Sequence, residues 1–336
     1  MIFAALPSRR RLLQHSLAAM LLGGAALASH AQPVTDSAIA VWPSKPVRVV
    51  VPFSPGGAAD IVARSLGEVL QRELKQAFVI DNRPGAGGNI GAENVAKAAG
   101  DGYSLLVGLD TTFTINPFIY PSMPFKPADL KPVMVVGSQG SIIVVSNKTG
   151  LKTLDQFIAQ GKKAPLSLSS AGYGTPGHLG SAILTHATGI KINHVPYKGN
   201  APASTAVLSG EVDGGVLSAT ILAPHVNAGK VTALAITTPE RNPLMPNVPT
   251  VGELGHKNLE MQVLFVVWAP ASTPDALVKK IQGALVQASQ SPELKERLRA
   301  NDLSYEGLIG DAAVKRLQAQ SDRNRTVIQA TGMKME

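Results

Sequence analysis

The chain has 336 residues, 45% of them hydrophobic, with a formal net charge of +8 and no cysteine. The length allows a sizeable core, and the missing cysteine excludes a disulfide framework, a thiolate metal site and a thiol nucleophile. Aromatics are only 4%, too few for base-stacking platforms, and Lys and Arg are scattered, so the basic balance reads as solubility with a mild pull on anions.

Residues 1–31 read as a secretory signal peptide. Arg9-Arg10-Arg11 is a basic start, Leu17 to Ala28 is a run of Leu, Ala, Met and Gly too short to span a bilayer, and Ser29-His30-Ala31 is a small-x-small cleavage site. Ser8-Arg9-Arg10 followed by Leu12-Leu13 also fits a twin-arginine address. The expected product is soluble, without a lipid anchor, and periplasmic in a Gram-negative cell.

Beyond the leader, Val47 to Phe53 is a β-branched apolar run and predicts a buried strand. Ser54-Pro55-Gly56-Gly57 is a turn. Ala58 to Lys75 then predicts a helix with Ile61, Val62, Leu66, Val69 and Leu70 on one stripe. Phe78-Val79-Ile80 is a strand, Asp81 to Gly88 a loop, Asn89 to Ala99 a helix and Tyr103 to Leu109 a strand. This alternation implies a parallel sheet with right-handed crossovers.

A second set follows. Strands are expected at 141–146, 166–170, 192–195, 212–218 and 231–237, and helices at 153–160 with Thr153 as N-cap, 176–188 and 201–209. Asn242 to Gly255, rich in Pro and Gly, reads as an irregular crossover, followed by a strand at 263–269. The tail is expected to be helical, with Thr273-Pro274-Asp275 and Ser291-Pro292-Glu293 as two N-cap, Pro, acid starts. Two α/β sets in series point to two domains whose strand ends face each other across a cleft.

The chemistry is expected in the loops. Phe53, Ser54, Pro55, Gly56, Gly57, Ala58 and Asp60 lie where a strand meets a helix through glycines, so backbone N–H groups can approach an anion, and Asp60 can hold the loop or cap the helix. Ser170, Ala171, Gly172, Tyr173, Gly174, Thr175 and His178 repeat that grammar. Gly172, Gly174 and Gly177 spell G-x-G-x-x-G, but the acid a dinucleotide site needs is missing, since no Asp or Glu occurs from Gln156 to Gly210. The same window holds Lys162, Lys163, Lys191 and Lys198, which suits an anionic ligand. Weaker candidates are Thr111 and Thr112 at the end of the third strand, and Asp213 and Ser218 around the strand near 212–218.

Catalysis finds little support. There is no G-x-S-x-G elbow, no H-E-x-x-H and no P-loop, and His178, His186, His194, His225 and His256 lack the spacing of a compact metal site. No cofactor is expected.

Several stretches together resemble a known family. They are Trp42-Pro43-Ser44-Lys45-Pro46, Val51-Pro52-Phe53-Ser54-Pro55-Gly56-Gly57, Asp60, Asn82 to Gly91 and Asp101-Gly102-Tyr103, then His194-Val195-Pro196-Tyr197-Lys198-Gly199, Gly210-Glu211-Val212-Asp213 and Val248 to Glu253. In this order they resemble the substrate-binding proteins of tripartite tricarboxylate transporters, the Bug family. The resemblance implies a type II periplasmic-binding fold, no enzymatic activity, and a small carboxylate held by the loops matching Ser54 to Asp60 and Ser169 to His178. It implies delivery of that ligand to integral membrane permease subunits, and a chain that crosses twice, with residues 45–143 and 265–336 forming one domain and 144–264 the other. A monomer is expected and no nucleic-acid partner. Two places depart from the family: Leu264-Phe265-Val266-Val267-Trp268 shifts an aromatic, and Gly137-Ser138-Gln139-Gly140 is more polar than usual. The competing readings are a periplasmic sensor that signals to a kinase and an exported hydrolase.

Overall fold

The computed structural model describes residues 34–334, and the signal peptide expected at residues 1–31 lies outside them. Ten strands form one curled sheet: β1 (Val47–Val51), β2 (Phe78–Asn82), β3 (Ser104–Leu109), β4 (Leu130–Ser146), β5 (Leu166–Ser170), β6 (Ile192–Pro196), β7 (Gly214–Ser218), β8 (Val231–Ile236), β9 (Gln262–Pro270) and β10 (Ser304–Ile309). Their order is β2-β1-β3-β9-β4-β7-β5-β6, with β8 and β10 also paired to β4. The longer helices are α1 (Ala58–Leu74), α2 (Asn89–Ala96), α3 (Leu154–Lys163), α4 (Pro176–Thr188), α5 (Asn200–Ser209), α6 (Ala219–Asn227), α7 (Asp275–Ser289), α8 (Pro292–Ala300) and α9 (Gly310–Thr331).

The first set pairs as its alternation predicts, with β1 parallel to both β2 and β3. β1 is buried on both faces, which is why it reads as an unbroken apolar run. α1 packs Val62, Leu66, Val69 and Leu70 into the core. Ile61 leaves the predicted stripe and turns to a cavity wall instead. The second set has β5 parallel to β6 and β7.

β4 joins the two sets. Its residues Leu130 to Gly140 run antiparallel to β9, while Ser141 to Val145 run antiparallel to β7. One continuous 17-residue strand thus passes from one lobe of the sheet into the other at Gly140 and Ser141. The apolar core divides accordingly. α1 and α7 pack on β1, β3 and β9, while Phe157, Leu168, Leu179 and Leu184 fill the other lobe.

Four expectations are corrected. The strand expected at 141–146 begins at Leu130, because Lys131, Pro132 and the glycines at 137 and 140 obscure the alternation. The tail is not wholly helical, since Ser304–Ile309 pairs with β4. Residues 219–227 form α6 with Pro224 inside it, where no element was expected. Helix α7 has Pro274 as its N-cap, not Thr273. Ser291 caps α8 as expected, accepting from the Leu294 amide.

Candidate functional site

Four helices begin around one cavity of about 440 Å³. Each follows a strand or a glycine loop, and none is capped by a side chain: α1 starts after Gly57, α4 after Thr175, α5 after Gly199 and α6 after Ser218. Unsatisfied first-turn N–H groups carry the positive end of the helix dipole. The only ionisable side chain on the wall is Lys198, an exposed cation, and among the described residues no acid borders the space. The opposite wall is apolar, with Leu109, Val216, Val263 and Phe265. The volume suits a small organic molecule.

The first loop is braced from behind. Gly56 has φ 79°, a left-handed turn that glycine adopts without strain. This turn brings its amide to Oδ2 of Asp60 at 3.0 Å. Asp60 is 3% exposed and is gripped by both ends of the Arg64 guanidinium at 2.8 and 3.0 Å, and by Asn82 Nδ2 at 2.9 Å. Burial pushes the Asp60 carboxyl up, but the hydrogen bonds from Arg64, Gly56 and Asn82 outweigh it and hold the group below its ordinary value. Asn82 also donates to the Phe53 carbonyl at 3.1 Å. Phe53, Ser54, Pro55, Gly56, Gly57 and Ala58 all border the cavity, whereas Asp60 lies behind them.

The second loop is built around Ser170. Its hydroxyl donates to the Gly172 carbonyl at 3.2 Å, accepts from the Gly172 amide at 3.1 Å, and lies 2.6 Å from His194 Nε2. His178 Nδ1 accepts from the Gly174 amide at 3.4 Å. Burial first, then the neighbouring His194, lowers the His178 pKa to about 3, so the ring is neutral and serves as an acceptor. Tyr173 stands edge-on to both imidazoles. Ala171, Gly174 and Thr175 border the cavity, while Ser170, Gly172, Tyr173 and His178 shape the loop from behind.

The remaining candidates divide. Thr111 and Ser218 border the cavity. Thr112 does not, and donates to the Gly87 carbonyl at 3.0 Å. Asp213 lies at the start of β7, the strand end opposite Ser218, and accepts from the Ser167 amide and hydroxyl at 2.8 and 2.7 Å. It fastens β5 to β7 and is away from the cavity. Trp268 also faces away, stacked on Phe113 at 3.9 Å, because alternation along β9 turns Val263 and Phe265 toward the cavity and Leu264, Val266 and Trp268 to the other face.

Sequence reasoning left out several parts of the wall, among them the apolar Leu109, Val263 and Phe265 and two further groups of residues. Lys198 to Pro202 repeats the strand, glycine, helix order of the first two loops, and the Gly199 amide bonds to the Ala171 carbonyl at 3.1 Å. That repetition was the available signal. The other group is Gln139, Thr220 and Asn301, which lie far apart in sequence and carry no common motif.

A two-lobed α/β clamp, spanned by one shared strand and closing on a cavity ringed by helix N-termini, defines a periplasmic-binding-protein-like receptor. Within that class the chain belongs to the tripartite tricarboxylate transporter family receptors, whose family model matches residues 62–333. It is 33% identical over 315 residues to Protein BugT of Bordetella pertussis, covering 93% of this chain and 96% of that one. A solved R. palustris structure with adipate aligns at 30% identity and TM-score 0.80, covering 87% of this chain and 99% of that chain. MatC from Rhodopseudomonas palustris with bound malate aligns at 27% identity and TM-score 0.74, covering 85% and 100%.

Proposed function

We propose that the exported chain captures a small carboxylate in this cavity and delivers it to integral membrane permease subunits, without chemical turnover. The observation that carries the reading is the ring of four uncapped helix starts around a space bordered, among the described residues, by Lys198 and by no acid. Neutral N–H donors in such an array hold an anion without a buried counter-ion. The adipate and malate held by the two structural relatives fit the same chemistry.

In this reading Ser54, Gly56, Gly57 and Ala58 face the ligand from one lobe, and Ala171, Gly174 and Thr175 from the other. Asp60, Ser170 and His178 act by fixing those loops. Phe53 and Phe265 give the carbon skeleton an apolar wall. Residues 45–143 with 265–336 form one domain and 144–264 the second, a division supported by the change of partner along β4 at Gly140 and Ser141.

Thermal unfolding of the protein spanning 32–336 tests the reading, with C4 and C6 dicarboxylates, citrate, acidic amino acids and aromatic acids as ligands, and sulfate and phosphate as controls. Binding to the folded state alone stabilises by about 2.7 kcal/mol at 100 times Kd. The expected result is a shift of several degrees for one carboxylate. No shift with any of them, in protein stripped of ligand, refutes it.

A further inference from the structure

Gln139 lies at the point where β4 leaves β9 for β7. It is 6% exposed. Its Nε2 donates to Thr220 Oγ1 at 3.1 Å and to the Asn301 carbonyl at 3.1 Å, while Thr220 Oγ1 donates to the same carbonyl at 3.2 Å. The Asn301 carbonyl can only accept, so it fixes which end of the Gln139 amide faces it.

These three residues come from different bodies. Thr220 is in the first turn of α6, packed on β7 and β8 in the second lobe. Asn301 terminates α8, which packs on α1 and is tied to it by Arg72 with Glu293 at 3.1 Å and by Arg297 with Glu68. α1 is the helix whose start lines the cavity. All three residues border the cavity themselves. The triad therefore connects the α1–α8 body to the α6 body across the cavity wall, and the Gln139 amide also bonds the buried carboxyl of Asp302, next in the chain to Asn301.

We propose that Gln139 is a positioning residue that latches the two lobes together through Thr220 and Asn301, and so sets how long a solute is retained. The hinge strand supplies the latch, so opening the clamp at β4 breaks both bonds to Asn301 together. Each bond is a modest net contribution, and losing the pair shifts the open-to-closed ratio by about tenfold. The proposal rests on the two-lobed clamp and is independent of which solute binds.

The test needs no ligand identity. The natural sequence has no cysteine, so paired spin labels at Glu73→Cys on α1 and Lys163→Cys on α3, both exposed positions, report the inter-lobe distance by pulsed electron paramagnetic resonance. A second pair, Glu73→Cys with Lys279→Cys on α7, stays within one lobe and serves as control. The expected result is a short-distance population in the otherwise unmodified protein that falls about threefold relative to the long one in Gln139→Leu and in Thr220→Val, each of which removes one of the two bonds to Asn301, and about tenfold in the double variant. Thr220→Ser, which keeps the hydroxyl, retains the short distance, and the control pair does not move. An unchanged distribution in both Leu and Val variants overturns the proposal. So does a single long distance before any latch residue is changed, or opening by Thr220→Ser equal to that by Thr220→Val. A failed carboxylate panel leaves it standing, because these distances are recorded without added solute.

Discussion

The imidazole rings of His178 and His194 lie face to face, 4.2 Å apart and 11° from parallel. His178 is buried in the first turn of α4, and burial followed by the His194 ring lowers its pKa to about 3. The unfolded value is about 6.5, so the unfolded chain binds more protons between these two points. The stability owed to neutral His178 is complete above about pH 6.5 and is lost as pH falls toward 3. His178→Gln, neutral throughout, is expected to lack that loss. Urea midpoints of the two proteins should converge on acidification, with the natural protein surrendering on the order of 3 kcal/mol between about pH 6.5 and 4. Parallel midpoint curves would show that His178 takes up its proton in the folded state as readily as in the unfolded one, so that the stack does not hold it neutral.

Asp302 carries the opposite sign. Burial raises its pKa to about 7, with the amides of Asn242 and Gln139 only partly offsetting the cost, and its Oδ2 has no hydrogen-bond partner. Its backbone is left-handed at φ 60°, a region Asn tolerates better than most residues. The folded state here binds more protons than the unfolded one from about pH 4 to 7, so stability falls as pH rises through that window. Asp302→Asn removes the charge at every pH. It is expected to raise the unfolding midpoint at about pH 8 and to change it little near pH 4, with a difference on the order of 2–4 kcal/mol. A destabilised variant at about pH 8 would mean the carboxylate is ionised and held by a partner.

The bracing of the first loop gives a third expectation. Asp60 holds Gly56, Arg64 and Asn82 at once. Asp60→Asn turns an amide NH2 toward donors, leaving at least one of them unpaired in a buried place, at about 1–3 kcal/mol. Because the Asp60 pKa is lowered, its contribution is present above about pH 3.8 and is lost as pH falls below that value. The variant should lose about tenfold in affinity for whichever carboxylate the panel returns, measured by calorimetry near pH 7. Arg64 is half exposed and its removal should cost less.

These relationships were unequally legible in the sequence. Where one strand leads straight into one helix through glycines, local pattern named two segments of the cavity wall, Ser54 to Ala58 and Ala171 to Thr175, and passed over the third, Lys198 to Pro202. The pattern could not separate residues that face the cavity from those behind them. Asp60, Ser170 and His178 look like ligand residues in sequence, and their side chains are spent on the loops themselves. β4 was half hidden because Pro132 and the four non-apolar positions from 137 to 140 break its period, although tertiary pairing on both edges holds it extended. α6 was hidden by Pro224, and the Gln139–Thr220–Asn301 group by sequence distance alone. Contacts of that kind follow from topology, which no local window contains.

Lys198 tests the electrostatic half of the site. As the one ionisable side chain on the cavity wall among the described residues, and an exposed one, it contributes a screened attraction of up to about 1 kcal/mol. Lys198→Met should weaken carboxylate affinity about fivefold at low salt and leave a much flatter salt dependence. Loss of binding altogether would assign the anion to Lys198 instead of to the helix starts.

The two left-handed glycines of the loops that border the cavity should differ in what a methyl group does to them. Gly56 and Gly174 both adopt left-handed φ, at 79° and 72°. A Cβ at Gly56 meets nothing within 4 Å, whereas one at Gly174 would lie 2.6 Å from Oδ1 of Asn116. Asn116 cannot retreat easily, since its Nδ2 donates to the Gly87 carbonyl at 3.0 Å and to Asn89 at 2.9 Å inside the protein. Gly56→Ala therefore costs only backbone strain, about 1–2 kcal/mol. Gly174→Ala adds displacement of Asn116 to the same strain, and should lower both the thermal midpoint and the carboxylate affinity further. Shortening the neighbour relieves that clash, so Asn116→Ala combined with Gly174→Ala should destabilise less than the two single changes added together. Strict additivity in that cycle would mean that the Gly174 loop moves away from Asn116 and that its left-handed turn alone is what the site requires.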